Sequence, residues 1–228
     1  MFATIASRIR GKNRWATYRK RLGNVIRGGT LLEDMSSAER RALFPMAPEL
    51  SERHIKNCRI IRNRDVLLNL LPRGSICAEI GVDEGLYSEK ILRTTEPQIL
   101  ELIDISPQSQ KICQEKFAAE ITTGRVRFHL GDSAALLSTF PNRTFDWLYI
   151  DGDHRYPGVK RDLEVSRQKI KPDGLILMND YAFFGISDFG KYGVIEAANE
   201  FCLAHDFEII YLALQGRGYY DVVLRKIL

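Results

Sequence analysis

Residues 75–85, which read Ser-Ile-Cys-Ala-Glu-Ile-Gly-Val-Asp-Glu-Gly, decide the fold of this 228-residue chain. The short apolar run up to Gly81 is typical of a buried strand, and two glycines four positions apart are typical of a strand-to-helix turn. The turn does not match G-x-G-x-x-G. It is not a P-loop either, because the G-K-[ST] ending is missing. Glu79, Asp83 and Glu84 make it acidic, which disfavours a pyrophosphate and suits a ligand with an ammonium or sulfonium group.

The same alternation of strand and helix continues downstream. The patterns predict helices at 84–93, from Ser106-Pro107, after Asp132, at 156–170 and at 194–202, and strands at 98–104, 125–130, 145–150, 175–178, 207–214 and 219–224. A series of β-α units predicts a mostly parallel sheet with helices on both faces, and the two closing strands predict a hairpin with one antiparallel strand. We therefore expect an α/β fold, a Rossmann-like doubly wound sheet of seven strands, with ligands at the carboxyl ends of the strands.

Upstream of the glycine turn the pattern is weaker. Apolar residues at helical spacing predict a helix over 58–71, in which Arg64 is the one polar residue on the apolar face. We predict that residues 1–50 are a basic N-terminal extension and that residues 51–228 form the domain. Before Glu33 the extension has eight basic residues and no acidic one, namely Arg8, Arg10, Lys12, Arg14, Arg19, Lys20, Arg21 and Arg27. Such an arm binds nucleic acid or an anionic membrane, acts as a transit peptide, or is a solvated extension.

Composition and cysteine usage narrow the class of protein. Hydrophobic residues make up 45% and charged residues 27% of the chain, as in an ordinary globular protein. There is no run of about 18 apolar residues, so no transmembrane helix is predicted. The four cysteines form no C-x-x-C pair, so we predict neither a disulfide framework nor a thiolate zinc site, and we expect a cytoplasmic location.

Candidate ligand-binding residues follow the second and third predicted strands. Asp104 ends the second strand, nineteen residues after Gly85, and an acid at that place can accept hydrogen bonds from both ribose hydroxyls. Asp132 and Ser133 follow the third strand, where a side chain could reach an adenine amino group. Both are also ordinary N-cap residues for the helix that follows.

A second group of polar residues follows the fourth and fifth strands. The fourth strand ends in Asp151-Gly152-Asp153-His154, and the fifth ends in Asn179-Asp180. Parallel strands end side by side, so Asp151, Asn179 and Asp180 could offer oxygen ligands to Mg²⁺. The alternative is that they only form Asx turns.

Together these residues resemble the class I S-adenosylmethionine (SAM) dependent methyltransferases over residues 75–224. The resemblance implies that Glu79, Gly81 and Gly85 carry the methionine part of SAM, that Asp104 holds the ribose, and that Asp132 and Ser133 meet the adenine, with Asp151 also at the cofactor. Within the class, the Asp151–His154 motif and Asn179-Asp180 resemble the small-molecule O-methyltransferases that modify sugars and natural products. That likeness implies catalytic roles for His154, as the base, and for Asp151.

The leading interpretation is a SAM-dependent O-methyltransferase that acts on a small hydroxylated acceptor, with Mg²⁺ at Asp151, Asn179 and Asp180. One alternative is an RNA methyltransferase that uses the basic arm. Another is a nucleotide-sugar glycosyltransferase in which Asp151-Gly152-Asp153 is a D-x-D motif, and a third is a non-catalytic binding module. The sequence leaves the acceptor and the formation of a homo-oligomer open.

Overall fold

A computed structural model describes residues 36–38, 46–185, 190–216 and 218–227 of the chain. Beyond a short 3₁₀ turn at Glu52–His54, the helices are α1 (Arg64–Leu68), α2 (Leu86–Thr95), α3 (Pro107–Lys116), α4 (Ala118–Thr122), α5 (Ser133–Thr139), α6 (Tyr156–Lys169) and α7 (Val194–His205). The strands are β1 (Arg59–Ile61), β2 (Ile76–Ile80), β3 (Ile99–Asp104), β4 (Val126–Leu130), β5 (Phe145–Ile150), β6 (Ile170–Met178), β7 (Phe184–Gly185), β8 (Gly190–Lys191), β9 (Phe207–Leu214) and β10 (Tyr220–Lys226).

Eight of these strands form one sheet in the order β1-β9-β10-β6-β5-β2-β3-β4. β10 runs antiparallel to both of its neighbours, and the other pairs are parallel. The predicted Rossmann-like sheet with an antiparallel C-terminal strand is therefore confirmed. β7 and β8 pair with each other, antiparallel, and belong to a different compact unit from residues 47–182 and 192–227.

The predicted helix over 58–71 is wrong in its first part, where the structure adds an eighth strand. Arg59–Ile61 pairs in parallel with β9, and of its three residues only Ile61 is buried, at 7% exposed, whereas Ile60 is 71% exposed. The helix begins only after Asn63, whose side chain accepts a hydrogen bond from the Val66 amide. Because this N-cap fixes the start of the helix, the two isoleucines before it are free to join the sheet edge.

Apolar side chains fill both faces of the sheet. On one face α6 and α7 bury residues such as Val159, Leu163 and Phe201 against the strands, whereas α1, α2 and α3 cover the other face. The two hydrophobic layers hold the strands in register, so that the carboxyl ends of β2 to β6 meet at one edge. No helix in the described part of the chain is long and apolar enough to cross a bilayer.

Most of the predicted basic extension lies outside the described residues, including all eight of its basic side chains. The described residues just before position 51 contact the domain. Asn199 donates a hydrogen bond from Nδ2 to the carbonyl oxygen of Pro48 (2.8 Å), and Leu50 packs against the core. The boundary at residue 50 remains a prediction.

Candidate functional site

The carboxyl ends of β2 to β5 enclose a pocket of about 760 Å³. Parallel register brings Ile80 beside Ile103 on one side and beside Ile150 on the other, so the loops after these strands are neighbours. The pocket is lined by five of the predicted residues, Gly81, Asp104, Asp132, Ser133 and Asp151. Six aspartates and two arginines lie along its wall, namely Asp83, Asp104, Asp132, Asp151, Asp153, Asp162, Arg155 and Arg161. The excess of carboxylates favours a positively charged ligand.

Gly81 is required by the crossing of two backbones. Its φ is +81°, and a Cβ placed there would lie 2.0 Å from the carbonyl oxygen of Asp151. The Asp151 amide in turn donates to the Ile80 carbonyl at 2.7 Å. The first glycine of the turn thus lets β2 and β5 end in direct contact, and a side chain at this position would push them apart.

Asp104 organises the glycine turn through the backbone. Its Oδ2 accepts hydrogen bonds from the amides of Val82 (2.8 Å) and Asp83 (3.0 Å), and its Oδ1 accepts one from the Ser106 amide (2.7 Å). The residue predicted to hold the ribose therefore also fixes the loop that borders the pocket. Oδ2 already accepts two hydrogen bonds, so one acceptor site, on Oδ1, is left for a ligand.

Asp132 and Ser133 lie at the pocket wall and at the start of α5. Asp132 accepts from the Ala135 amide (3.0 Å) as an N-cap, and Ser133 Oγ donates to Oδ1 of Asp162 at 2.6 Å. Burial raises the pKa of Asp162 to about 6. The sequence analysis missed Asp162, because nothing in the α6 pattern distinguishes an acid that lines a pocket from one that faces solvent.

Glu79 and Gly85 do not line the pocket, although the resemblance placed both at the cofactor. Glu79 is 1% exposed and accepts a hydrogen bond from the Ser88 hydroxyl, and burial raises its pKa to about 8. A Cβ on Gly85 would lie 2.8 Å from the Phe117 ring, so this glycine allows α2 to pack on α3. In this structure both residues therefore support the conformation of the turn through buried contacts and do not line the pocket.

His154 lies between two of the predicted carboxylates. Its Nε2 is 3.4 Å from Oδ1 of Asp151 and 3.6 Å from Oδ2 of Asp180, and its ring stacks on Tyr192 at 4.6 Å between centroids. The same Oδ1 of Asp151 accepts a hydrogen bond from Asn179 Nδ2 at 2.7 Å. The structure thus brings all four residues of the second predicted group together. Asp151 connects them to the pocket, whose lining includes none of the other three.

The predicted metal site is not supported by this arrangement. The Asn179 amide presents a donor, not an oxygen, to Asp151, whereas Mg²⁺ requires oxygen ligands. Among the described residues no group of three His, Cys, Asp or Glu side chains is arranged to hold a metal ion. The donor set does not fit Mg²⁺ as it stands.

Asp153 is engaged by its neighbour Arg155. The Arg155 side chain donates from Nε to Oδ1 and from Nη2 to Oδ2, both at 2.8 Å, and this pairing holds the pKa of Asp153 below its usual value. Both oxygens of Asp153 are therefore occupied, which weighs against Asp151-Gly152-Asp153 as a D-x-D motif for a nucleotide sugar.

The sequence analysis missed a buried polar cluster beside this group, formed by Arg64, Tyr149, Gln215 and Asp221. Tyr149 donates to Oδ2 of Asp221 at 2.9 Å, and Gln215 Nε2 donates to Oδ1. Arg64 Nη1 donates to the Tyr149 hydroxyl at 3.3 Å. Burial raises the pKa of Asp221 to about 7. One signal was available, namely the polar residue Arg64 on an otherwise apolar face.

Comparison with known proteins supports the class suggested by this geometry. Residues 78–181 match the model of a methyltransferase domain family, which spans β2 to the end of β6 and includes Asp104, Asp151 and His154. No curated protein sequence matches the chain significantly.

Solved methyltransferase structures share the fold. The trans-methyltransferase CalH in complex with SAH superposes with a TM-score of 0.54 at 16% identity, over 72% of this chain and 55% of that one. The precorrin-6y C5,15-methyltransferase of Geobacter metallireducens gives 0.55 at 13% identity, over 72% and 87%. A SAM-dependent methyltransferase of Aquifex aeolicus gives 0.55 at 14% identity, over 72% and 88%. The chain thus spans only about half the length of CalH. The family model over residues 78–181 thus indicates a methyltransferase domain, and the solved structures show that the chain has the fold of methyltransferases.

Proposed function

We propose that this protein transfers the methyl group of SAM to a hydroxyl oxygen of a small acceptor. The observation that carries the proposal is the placement of His154 between Asp151 and Asp180, at 3.4 and 3.6 Å, where Asp151 also lines the pocket. A proton-accepting group beside a pocket for a cationic ligand is the arrangement that O-methylation requires.

The pocket suits SAM in size and charge. Its volume of about 760 Å³ lies within the range of roughly 300–1,000 Å³ typical of small-molecule sites. Its aspartates outnumber its arginines, which favours a sulfonium ion over a nucleoside diphosphate. In this proposal the remaining acceptor site of Asp104, on Oδ1, accepts a hydrogen bond from a ribose hydroxyl, and Asp132 and Ser133 border the adenine.

SAM, when bound, supplies an electrophilic methyl carbon, so the residues of this chain have to orient the acceptor and remove its proton. His154 takes the proton from the acceptor hydroxyl, since an imidazole accepts protons near neutral pH. Asp151 and Asp180 stabilise the resulting positive charge and hold the ring, together with the stacked Tyr192. Asp151 lines the pocket and therefore also positions the acceptor hydroxyl.

The proposal involves no divalent cation, because the Asn179 amide directs a donor at Asp151. The glycosyltransferase alternative is weakened by the pairing of Asp153 with Arg155. The RNA methyltransferase alternative depends on a basic arm that lies outside the described residues. A cytoplasmic location and a homo-oligomeric state remain predictions.

The test is transfer of the labelled methyl group of SAM to a panel of sugars and phenols. In the variant His154→Ala we expect kcat to fall about 100-fold or more, with SAM affinity nearly unchanged, because general-base help contributes roughly 10²–10⁴ in rate. His205→Ala is the matched control, since His205 pairs with Glu164 on the α6–α7 surface at 2.7 Å. We expect that variant to keep its activity.

Addition of EDTA addresses the metal in the same assay, and we expect turnover to continue. Loss of turnover in EDTA with recovery in Mg²⁺ would contradict the metal-free mechanism. A near-normal rate for His154→Ala would exclude it as the base. If the protein methylates none of the sugars and phenols but does methylate RNA, the acceptor is RNA and not a small hydroxylated molecule.

A further inference from the structure

A second pocket lies at the opposite edge of the sheet from the proposed SAM pocket, where β5, β6 and β9 begin. Its volume is about 380 Å³, and two of its lining residues, Ile170 and Phe207, are buried and apolar. Four basic side chains line this basic pocket, and none of the described residues that line it is acidic. The four are Arg143, Arg167, Lys171 and Lys226. Its charge is therefore opposite to that of the SAM pocket, where aspartates are in excess.

Carboxylates outside the basic pocket compensate only two of these four cations. Lys171 Nζ lies 2.6 Å from Oδ1 of Asp146, and Arg167 Nη2 lies 3.6 Å from Oε2 of Glu164 on the same helix. The other two cations form no ion pair within 4.0 Å in the described part of the chain. The basic pocket thus has more positive charge than the surrounding carboxylates balance.

A buried ammonium group beside the basic pocket adds to this charge. Lys169 is 7% exposed, and its Nζ donates to Oδ1 of the pocket-lining Asn142 (2.9 Å) and to the carbonyl oxygens of Ser138 (3.2 Å) and Phe140 (2.8 Å). These acceptors are uncharged, and no carboxylate of the described residues lies within 4.0 Å of the ammonium. Carbonyl groups at the end of a helix carry only a partial negative charge, so a buried cation there benefits from a nearby anion.

Arg143 is fixed at the basic pocket by its backbone. Its φ is +60°, in the left-handed region that residues other than glycine rarely adopt. Its amide donates a hydrogen bond to the carbonyl oxygen of Gln168 at 3.0 Å, which ties the loop before β5 to the end of α6. Strained residues held in this way are concentrated at ligand-binding sites. The strain at Arg143 therefore agrees with a binding role for this loop.

We infer that the basic pocket binds the phosphate group of a small ligand. The volume of about 380 Å³ falls within the range of roughly 300–1,000 Å³ typical of small-molecule sites. A guanidinium pairs with phosphate oxygens through two parallel hydrogen bonds, and an ammonium adds a point charge. Attraction to a helix C-terminus explains the basic residues in the last turn of α6. It does not explain Arg143 and Lys226, which come from a loop and from β10.

A compact anion fits this pocket better than a strand of nucleic acid. A neighbouring pocket shares Lys226 with it and is lined by three acidic residues, Asp146, Asp173 and Glu208. An extended polyanion that crosses this surface would meet those carboxylates. Single-stranded nucleic acids also require exposed aromatic rings for stacking, whereas Phe207, the aromatic residue of the basic pocket, is 1% exposed.

The experiment is calorimetric titration of the full-length protein with inorganic pyrophosphate, in the absence and in the presence of saturating SAH. We expect pyrophosphate to bind equally in both conditions, because the basic pocket and the SAM pocket lie at opposite edges of the sheet. In Arg143→Gln and in Lys226→Gln we expect the affinity to fall about fivefold or more, since each variant removes a charge-assisted hydrogen bond. The inference does not depend on the proposed function, which methyl transfer tests separately.

Arg93→Gln is the matched control. Arg93 is exposed on α2 and forms no ion pair in the part of the chain that the structure describes, so the variant loses the same charge elsewhere. Its affinity for pyrophosphate should stay within about twofold. Should Arg143→Gln fail to fold, Lys226→Gln decides by the same comparison.

Three results would overturn the inference. The parent does not bind pyrophosphate, SAH abolishes the binding, or Arg93→Gln weakens it as much as the two pocket variants do. Titration with a single-stranded RNA oligonucleotide tests the other class of anion. RNA that binds more tightly than pyrophosphate and loses affinity in Arg143→Gln and Lys226→Gln would overturn the inference in favour of a nucleic-acid surface.

Discussion

The carboxylates in the two halves of the pocket edge accept hydrogen bonds from different kinds of donor. The cofactor half consists of the loops after β2, β3 and β4. Here Asp104 and Asp132 accept hydrogen bonds from backbone amides within a few residues of a strand end. The acceptor half consists of the loops after β5 and β6 and the start of β10. Here Asp151 and Asp221 accept hydrogen bonds from side chains on other elements. Backbone donors are present whatever the neighbouring side chains are. The cofactor half therefore depends on the backbone of the loops after neighbouring strands, whereas the acceptor half depends on which side chains the fold brings together.

Gly81→Ala should have the largest effect, because Gly81 is where the two halves touch. The new Cβ would lie 2.0 Å from the Asp151 carbonyl oxygen, at a φ of +81°. We expect a loss of unfolding free energy of about 3 kcal/mol or more, from overpacking and backbone strain together. Chemical denaturation measures it.

Gly124→Ala is the control for backbone strain alone. Gly124 has a φ of +74° and open space around its Cβ position, so we expect a loss of only about 1 kcal/mol. Equal losses for the two glycine variants would show that the crossing of β2 and β5 is not tightly packed.

Asp104→Ala tests the cofactor half. The variant removes the acceptor of three backbone amides and the proposed ribose ligand, so we expect SAM affinity to fall about tenfold or more. Asp146→Ala is the matched control, because Asp146 accepts from the Ile76 amide (2.8 Å) at the opposite end of β2. Its SAM affinity should stay within about twofold. Similar losses for both would indicate a general effect on the sheet.

Asp221→Asn tests the acceptor half through pH and should have the smallest effect. Burial raises the pKa of Asp221 from 3.8 to about 7, so the folded state keeps a proton that the unfolded chain has lost. The contribution of Asp221 to stability is therefore complete below about pH 4 and is lost as pH rises to about 7. Calorimetric melting from pH 4 to pH 8 should show Asp221→Asn gaining stability relative to the parent, by several degrees. The variant Asp173→Asn, at an exposed site, should show no such trend. The prediction is contradicted if the difference in melting temperature between Asp221→Asn and the parent stays the same from pH 4 to pH 8.

The errors of the sequence analysis follow the same division. The elements of the cofactor half and the placement of Asp104, Asp132 and Ser133 at the pocket were predicted, since each depends on a strand and the few residues after it. The residues 58–71 were assigned to one helix, because two adjacent isoleucines fit helical and strand periodicity alike. The strand at this sheet edge exists only through its pairing with β9. The role of Glu79 at the cofactor remains a prediction, and the strand pattern did not show that its side chain is buried and outside the pocket lining.

Sequence by itself determined the order of the seven predicted strands, the antiparallel strand of the final hairpin and the turn at Gly81, because hydrophobic periodicity and glycine placement act over a few residues. It also indicated that Asp151, His154, Asn179 and Asp180 would meet, since parallel strands end at one edge. Only the tertiary structure decided that the Asn179 amide donates to Asp151, and that Arg64, Tyr149 and Asp221 form one cluster. Arg64 and Tyr149 are 85 positions apart and Tyr149 and Asp221 are 72 apart, and contacts at such separations are set by the packing of whole elements, which no local pattern encodes.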